Sequence, residues 1–352
     1  MQKISNIKTV HIELTDKCQA QCPMCARNFH GGATRPFIQN KDISLDQFKK
    51  WFPKKFLLQL NNFYSCGNYG DPAFARECLE IFSYIRDCNP TTRLAIHTNG
   101  GMRNKVWWSD LAKSIGTISN SEVVFAVDGF KGKHELYRKN TKFDKVIENM
   151  TSFINAGGVA RVDSLVFKHN EDDIEDLEKF LYDIGVESVN FIGTTRFYSM
   201  KEFDVLDNQG NLDYKLYPTE LEKFRKISKF SLESMVSENI RAEILEQALI
   251  EPSCVSQRGI YVDPSGDIFP CCWFGGESKE QPIKEILPIH YLRNLSVSQT
   301  KNILNAIGVP NCETGILSTD GVLFENLENF WEKDKCLTCV RQCSKAIYEF
   351  KK

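Results

Sequence analysis

The chain of 352 residues is predicted to be an α/β protein: a partial (β/α)6 barrel followed by a small cysteine-rich C-terminal domain. Two observations predict it. Strand-then-helix repeats fill the first two hundred residues, and from Cys254 onward the texture changes to short loops, Gly, Pro and clustered cysteines. Hydrophobic content of 42% and charged content of 26% are ordinary for a globular protein, and the length allows a large core.

Val10, Ile12 and Leu14 alternate in a first strand, with a cysteine loop directly behind it. Further strands are expected at Phe63–Cys66, Arg93–His97, Val123–Val127, Val162–Phe167 and Ser188–Ile192, each bounded by turn residues. Val146, Ile147, Met150, Phe153 and Ile154 recur at helical spacing, and Gly157-Gly158 closes that helix. Ile174, Leu177, Phe180 and Leu181 repeat the pattern before the sixth strand. Six such units in series imply a parallel sheet, curved into a barrel or part of one, with its chemistry at the strand C-terminal ends. Residues 201–250 are polar and helix-prone, with Leu221, Phe224, Ile227 and Phe230 in an apolar stripe, and are expected to form a helical bridge. The expected divisions are 1–200, 201–250 and 251–352, the last stapled by a metal centre because its own core is thin.

Formal net charge is -2, so no global field attracts nucleic acid or an acidic membrane. No apolar stretch approaches the roughly 20 residues of a membrane helix, and MQKISNIKTVHIELT lacks the apolar region of a secretion signal. A reducing, cytoplasmic setting is expected, in which the 13 cysteines serve metal or cluster ligation better than disulfides. Cys66, Cys78, Cys88 and Cys312 stand alone and are expected to pack as small apolar side chains.

Cys18, Cys22 and Cys25 fall in the run CQAQCPMC. Three thiolates in one loop can hold three corners of a cubane iron–sulfur cluster and leave the fourth iron open to a small molecule. Zinc is the alternative, but zinc sites usually draw C-x2-C pairs and a fourth ligand. Motifs follow at the ends of the next strands. Gly67-Asn68-Tyr69-Gly70-Asp71-Pro72 follows the second, Thr98-Asn99-Gly100 the third, and Val127-Asp128-Gly129 the fourth. His134, Arg138, Phe143-Asp144 and Asn170 come later in the same order. Together with the C-x3-C-x2-C spacing, this series over residues 8–200 resembles the radical S-adenosylmethionine (SAM) enzymes. The resemblance implies a TIM-like partial barrel, a [4Fe-4S] cluster on Cys18, Cys22 and Cys25, and SAM bound to its open iron. Tyr69, Gly70 and Asp71 would then stand in the GGEP-type turn facing the methionine ammonium, with Thr98 and Asn99 beside it. Asp128 and Asn170 become candidates for the ribose, Arg138 for the methionine carboxylate and Met24 for packing beside adenine. Met24 stands where the family often has an aromatic residue, and Ala126 where it often has a serine.

Cys254 is followed by eleven residues, Gly266, four residues and Cys271, and Cys336-x2-Cys339 precedes Cys343. The first part resembles the opening of SPASM and twitch domains, which carry auxiliary clusters. One auxiliary [4Fe-4S] cluster is expected on Cys254, Cys271, Cys336 and Cys339, with Cys272 and Cys343 in reserve. A zinc ribbon is the alternative, since paired thiolates suit zinc equally well. Cys272 stands at the position, directly after the corresponding cysteine, where sulfatase-maturing relatives carry an aspartate that acts as a base, and could be a ligand, a hydrogen-atom donor or inert. Arg196 is a second candidate for the substrate pocket, or else forms a surface salt bridge.

The resemblance implies reductive cleavage of SAM to a 5'-deoxyadenosyl radical, which abstracts hydrogen from a peptide or a small polar molecule. Oxidation or cross-linking is expected, with an auxiliary cluster taking up the remaining electron and flavodoxin or ferredoxin as reductant. The alternative is group transfer, either methylation or transfer of a SAM-derived fragment. No leader-peptide-binding extension precedes the first strand, which keeps small-molecule dehydrogenation beside peptide modification.

Overall fold

The computed structural model describes residues 2–116, 121–194, 196–197, 200–224, 238–280, 288–314, 316, 322–324, 327–333 and 335–344. Six parallel strands form where the alternation places them: β1 (Thr9–Ile12), β2 (Asn62–Ser65), β3 (Arg93–Thr98), β4 (Glu122–Ala126), β5 (Ala160–Val166) and β6 (Ser188–Gly193). Each pairs with the next, so their C-terminal ends share one rim. The crossovers carry helices α1 (Leu45–Trp51), α2 (Cys78–Cys88), α3 (Lys105–Ile115), α4 (Phe143–Asn155) and α5 (Ile174–Asp183). Ser44 and Gln47 cap α1 reciprocally. Gly157, at a φ of 90°, ends the α4 turn as the sequence predicts.

The apolar side of the sheet packs on these helices through Val10, Ile12, Phe63, Ile96, Phe125, Trp108 and Phe153, all buried. The opposite side is polar. His11 stacks on Tyr64 with ring centres 4.4 Å apart, and Tyr64 meets His97 edge-on at 6.3 Å. Cys78, Cys88 and Cys312 pack in the apolar core as expected, whereas Cys66 is outside it.

Two expectations are corrected. The C-terminal region does not build a thin core of its own: β9 (Gly259–Val262) pairs parallel with β1, and β10 (Ile268–Phe269) pairs antiparallel with β9. The sheet thus has eight strands in the order β10-β9-β1-β2-β3-β4-β5-β6, without closing. Ile260, Val262, Ile268, Phe274, Ile303 and Leu304 join the main core, because an unpaired β1 edge would leave its backbone groups and apolar face in water. Nor is the first part of residues 201–250 helical. β7 (Phe203–Leu206) and β8 (Leu212–Leu216) form a hairpin, turned at Gly210 with a φ of 87°. Among the described residues, a 3-10 turn at Glu222–Phe224 and a helix at Glu238–Gln247 follow it. Ile227 and Phe230 of the expected stripe lie outside the described residues. Among the described residues no helix is long and apolar enough to cross a membrane.

Candidate active site

Cys18, Cys22 and Cys25 lie in the loop that leaves β1, all partly buried and unpaired by disulfides. The Asp16 carboxylate closes the loop by accepting from the Gln39 N–H at 2.9 Å and the Lys41 N–H at 2.6 Å. Inside it, the Cys25 N–H donates to the Cys22 carbonyl at 3.0 Å, and Asn28 Nδ2 donates to the same carbonyl at 3.2 Å. Arg27 is buried and donates to the Asp16 and Tyr69 carbonyls, tying the loop to the turn after β2. Burial, with Asp71 and the neighbouring sulfurs, pushes the Cys18 thiol well up, and burial with the Cys25 sulfur takes Cys22 to about 11. Ligation needs the thiolates, so such a site favours a cation that displaces the protons.

The strand ends converge on this loop. In the turn after β2 a Cβ on Gly70 would stand 1.8 Å from the Thr15 carbonyl, so only glycine lets the turn lie on the cysteine loop. Asp71, buried, accepts from the Thr98 hydroxyl at 2.8 Å, the Asn99 N–H and amide at 2.7 Å each, and the Ala73 N–H at 2.9 Å. Its carboxylate is therefore engaged in holding the turn after β3. From there Asn99 Nδ2 reaches Cys18 Sγ at 3.6 Å, and Gln19 Nε2 donates to Asn99 Oδ1 at 2.6 Å. After β4, Asp128 accepts from Leu165 N–H at 2.6 Å and from Arg138 Nε at 2.5 Å. Arg138 then lies 4.0 Å from Cys22 Sγ, which lowers that thiol against its burial. Asn170 spends its amide on the Asp128 and Leu165 carbonyls and its oxygen on the Phe167 N–H. Asp128 and Asn170 thus brace the rim, and Arg138 carries that brace to the cysteine loop. Arg196, exposed, donates to the Met24 carbonyl at 3.1 Å. Met24 and Cys22 pack against a small apolar cluster of Tyr137, Phe167, Phe197, Val205 and Leu216, so the hairpin covers this side of the loop.

The radical SAM superfamily model matches residues 12–181, the segment that carries every one of these strand ends. The chain carries a radical SAM domain. A probable GTP 3',8-cyclase of Methanocaldococcus jannaschii is 25% identical over 194 residues, covering 53% of this chain and 59% of the relative. The match therefore spans rather more than half the length of that relative. The GTP 3',8-cyclase of Aquifex aeolicus is 21% identical over 308 residues, covering 81% of this chain and 91% of the relative. Among solved structures, Streptococcus suis SuiB bound to precursor peptide SuiA superposes with a TM-score of 0.50 at 13% identity. It covers 96% of this chain and 68% of SuiB, and shows a shared fold. Radical SAM domains take SAM and a [4Fe-4S] cluster, and the thiol set of Cys18, Cys22 and Cys25 fits the cluster in number, softness and burial.

A second set of thiols lies beside the radical SAM domain. Cys254, Cys271, Cys272, Cys339 and Cys343 line one cavity of about 190 Å³, together with His11 and Tyr64 of the sheet's polar side. Gly266 of the spacing motif is the turn of the β9–β10 hairpin, with a φ of 83°, and delivers Cys271 to the cavity. Helix α6 (Cys272–Lys279) begins directly after it, and α7 (Leu337–Cys343) brings Cys339 and Cys343. Cys336 is fully buried, and its free thiol hydrogen-bonds with that of Cys339. Burial and neighbouring sulfurs push Cys271 well up and Cys254 to about 11. Among the described residues, no group of three or more His, Cys, Asp or Glu side chains is drawn together tightly enough to hold a single metal ion, at this cavity or at the loop of Cys18, Cys22 and Cys25.

Sequence reasoning missed Glu13, Gln19, Arg27 and Tyr261. For Glu13 there was a signal: if Val10, Ile12 and Leu14 face the helices, His11 and Glu13 must face the other way. Two polar residues on that face announce a polar interior.

Proposed function

We propose that this chain is a radical SAM oxidoreductase acting on a peptide or a small polar substrate, with an auxiliary cluster in its C-terminal thiol cavity. The observation that carries the reading is the pairing of the three-thiol loop at the barrel rim with a second, cysteine-lined space across the same sheet. With the cluster of Cys18, Cys22 and Cys25 and SAM bound, one-electron cleavage supplies a 5'-deoxyadenosyl radical able to take hydrogen from an unreactive C–H bond. The chain's own residues hold and shield that chemistry. Asn99 and Arg138 set donors beside the cluster sulfurs, and the turn Gly67–Asp71 offers carbonyls to the SAM ammonium. The hairpin β7–β8 keeps water off the Met24 side. For the second cluster, the positions on the cavity wall favour Cys254, Cys271, Cys339 and Cys343, with Cys272 and Cys336, whose thiol contacts Cys339, as further thiols. Electrons would come from a flavodoxin- or ferredoxin-like donor in the cytoplasm.

SuiB, the shared-fold structure, binds a precursor peptide, which supports the peptide class. The two cyclase relatives make a nucleoside triphosphate the second class to test. Anaerobic, reconstituted protein reduced with dithionite is expected to release 5'-deoxyadenosine from SAM and to hold about eight irons, as two cubanes require. S-adenosylhomocysteine or methylthioadenosine as product would point to group transfer. About four irons with one zinc would replace the auxiliary cluster by a zinc ribbon.

A further inference from the structure

Glu13 directly follows β1, between the two halves of the sheet, and is 1% exposed. One of its carboxylate oxygens accepts from the Tyr69 N–H at 2.7 Å and the Gly70 N–H at 2.8 Å. The other accepts the hydroxyl of Tyr261, on β9, at 2.5 Å. A carboxylate this deep is costly unless donors surround it, and here three do. Two of them are consecutive amides of the turn Gly67–Asp71. A Cβ on Gly67 would stand 2.9 Å from the same Glu13 oxygen, so the turn lies directly on the carboxylate.

In a trans peptide the carbonyl points opposite to the N–H of the same plane. Fixing the Tyr69 and Gly70 N–H groups on Glu13 therefore turns the Asn68 and Tyr69 carbonyls away from it. The Tyr69 carbonyl indeed meets Arg27 of the cysteine loop. The same turn is fastened to the C-terminal region twice more. Asn68 Nδ2 donates to the Cys272 carbonyl at 2.7 Å, and the Tyr69 hydroxyl donates to the Gly276 carbonyl at 2.6 Å.

We propose that Glu13 is a positioning residue for SAM: it aims the carbonyls of the turn at the cysteine loop, and Tyr261 makes the C-terminal region part of that setting. The proposal rests on the reading of the turn as acceptor of the SAM ammonium. Through it, the region that carries the auxiliary thiols and the SAM turn share one buried anion, and what disturbs one is felt by the other.

The test compares wild type, Glu13→Gln, Tyr261→Phe and the double variant. SAM affinity is read from the change SAM causes in the reduced cluster's electron paramagnetic resonance, with iron content measured alongside. Each single variant is expected to bind SAM about tenfold more weakly, the order of a lost charge-assisted hydrogen bond. The double variant is expected to be no weaker than the worse single one, since both act on one carboxylate. Should Glu13→Gln fail to fold, Tyr261→Phe alone still decides, together with amide exchange at Tyr69 and Gly70, which is expected to quicken. Unchanged affinity in folded, iron-loaded variants overturns the proposal, and additive losses overturn the Tyr261 link. Wild-type protein that retains the cluster but binds no SAM overturns the reading of the turn and this inference with it.

Discussion

His134 holds the rim through one defined tautomer. The Thr141 hydroxyl donates to the Arg138 carbonyl at 2.6 Å and so accepts from His134 Nε2 at 2.9 Å, leaving Nδ1 to accept the Asp128 N–H at 3.2 Å. Burial lowers its pKa from 6.5 to about 4, and does the same for His11 and His169. A histidine held neutral in the folded state costs stability as pH falls from about 6.5 toward 4, because the unfolded chain takes up the proton first. The shift is worth roughly 3 kcal/mol for each ring. Glu13 runs the other way: burial raises it from 4.5 to about 6, so its share of stability declines as pH rises through that window, by roughly 2 kcal/mol. The three histidines together outweigh Glu13. The urea midpoint is therefore expected to fall between pH 7 and pH 5, and His134→Asn to make that fall shallower. A midpoint that is flat or rising on acidification would contradict the sign. None of this was readable from the sequence, where His134 stood only as one letter of a family pattern. Its tautomer depends on partners at positions 128 and 141 that only the fold brings together.

At the scale of elements, the strands were legible because each carries its apolar period locally, and the observed bounds differ from the expected ones by a residue or two. The hairpin β7–β8 was not, although Asp207-Asn208-Gln209-Gly210 carried a turn signal. Of its residues only Val205 and Leu216 are buried, too few to outweigh the polar, helix-like composition around them. Their burial closes the small cluster under Met24 and Cys22. Leu216→Ala is expected to cost about 2–4 kcal/mol and, more tellingly, to speed loss of iron to a chelator from the Cys18 site. An unchanged rate would detach the hairpin from the shielding role given to it. Gly70→Ala tests the neighbouring turn. With the Thr15 carbonyl where a Cβ must go, the turn has to lift off the cysteine loop. SAM binding is expected to fall at least about tenfold, a cost in the usual range for a forced steric clash. The change should be visible by calorimetry while iron content stays near that of wild type.

The whole molecule departs furthest from the sequence reading. A parallel pair between Gly259–Val262 and Thr9–Ile12 joins segments 250 residues apart, and no local pattern encodes which strand a distant edge will accept. The metal-stapled C-terminal domain expected from its cysteines is instead built on the barrel's own sheet. A chain ending at residue 250 would then expose β1 as a raw edge, strip Glu13 of Tyr261 and open the main core. It is expected to aggregate, seen by size-exclusion chromatography, and a soluble, compact monomer would contradict the shared core. The central claim is chemical: the loop of Cys18, Cys22 and Cys25 holds a cluster whose fourth iron is kept for SAM. Electron paramagnetic resonance of the reduced, reconstituted protein tests it most directly, in a variant with Cys254, Cys271, Cys339 and Cys343 replaced by serine so that only the first site is loaded. Addition of SAM is predicted to shift the g values of that single cluster. A spectrum of the folded, iron-loaded protein that saturating SAM leaves unchanged would contradict the claim.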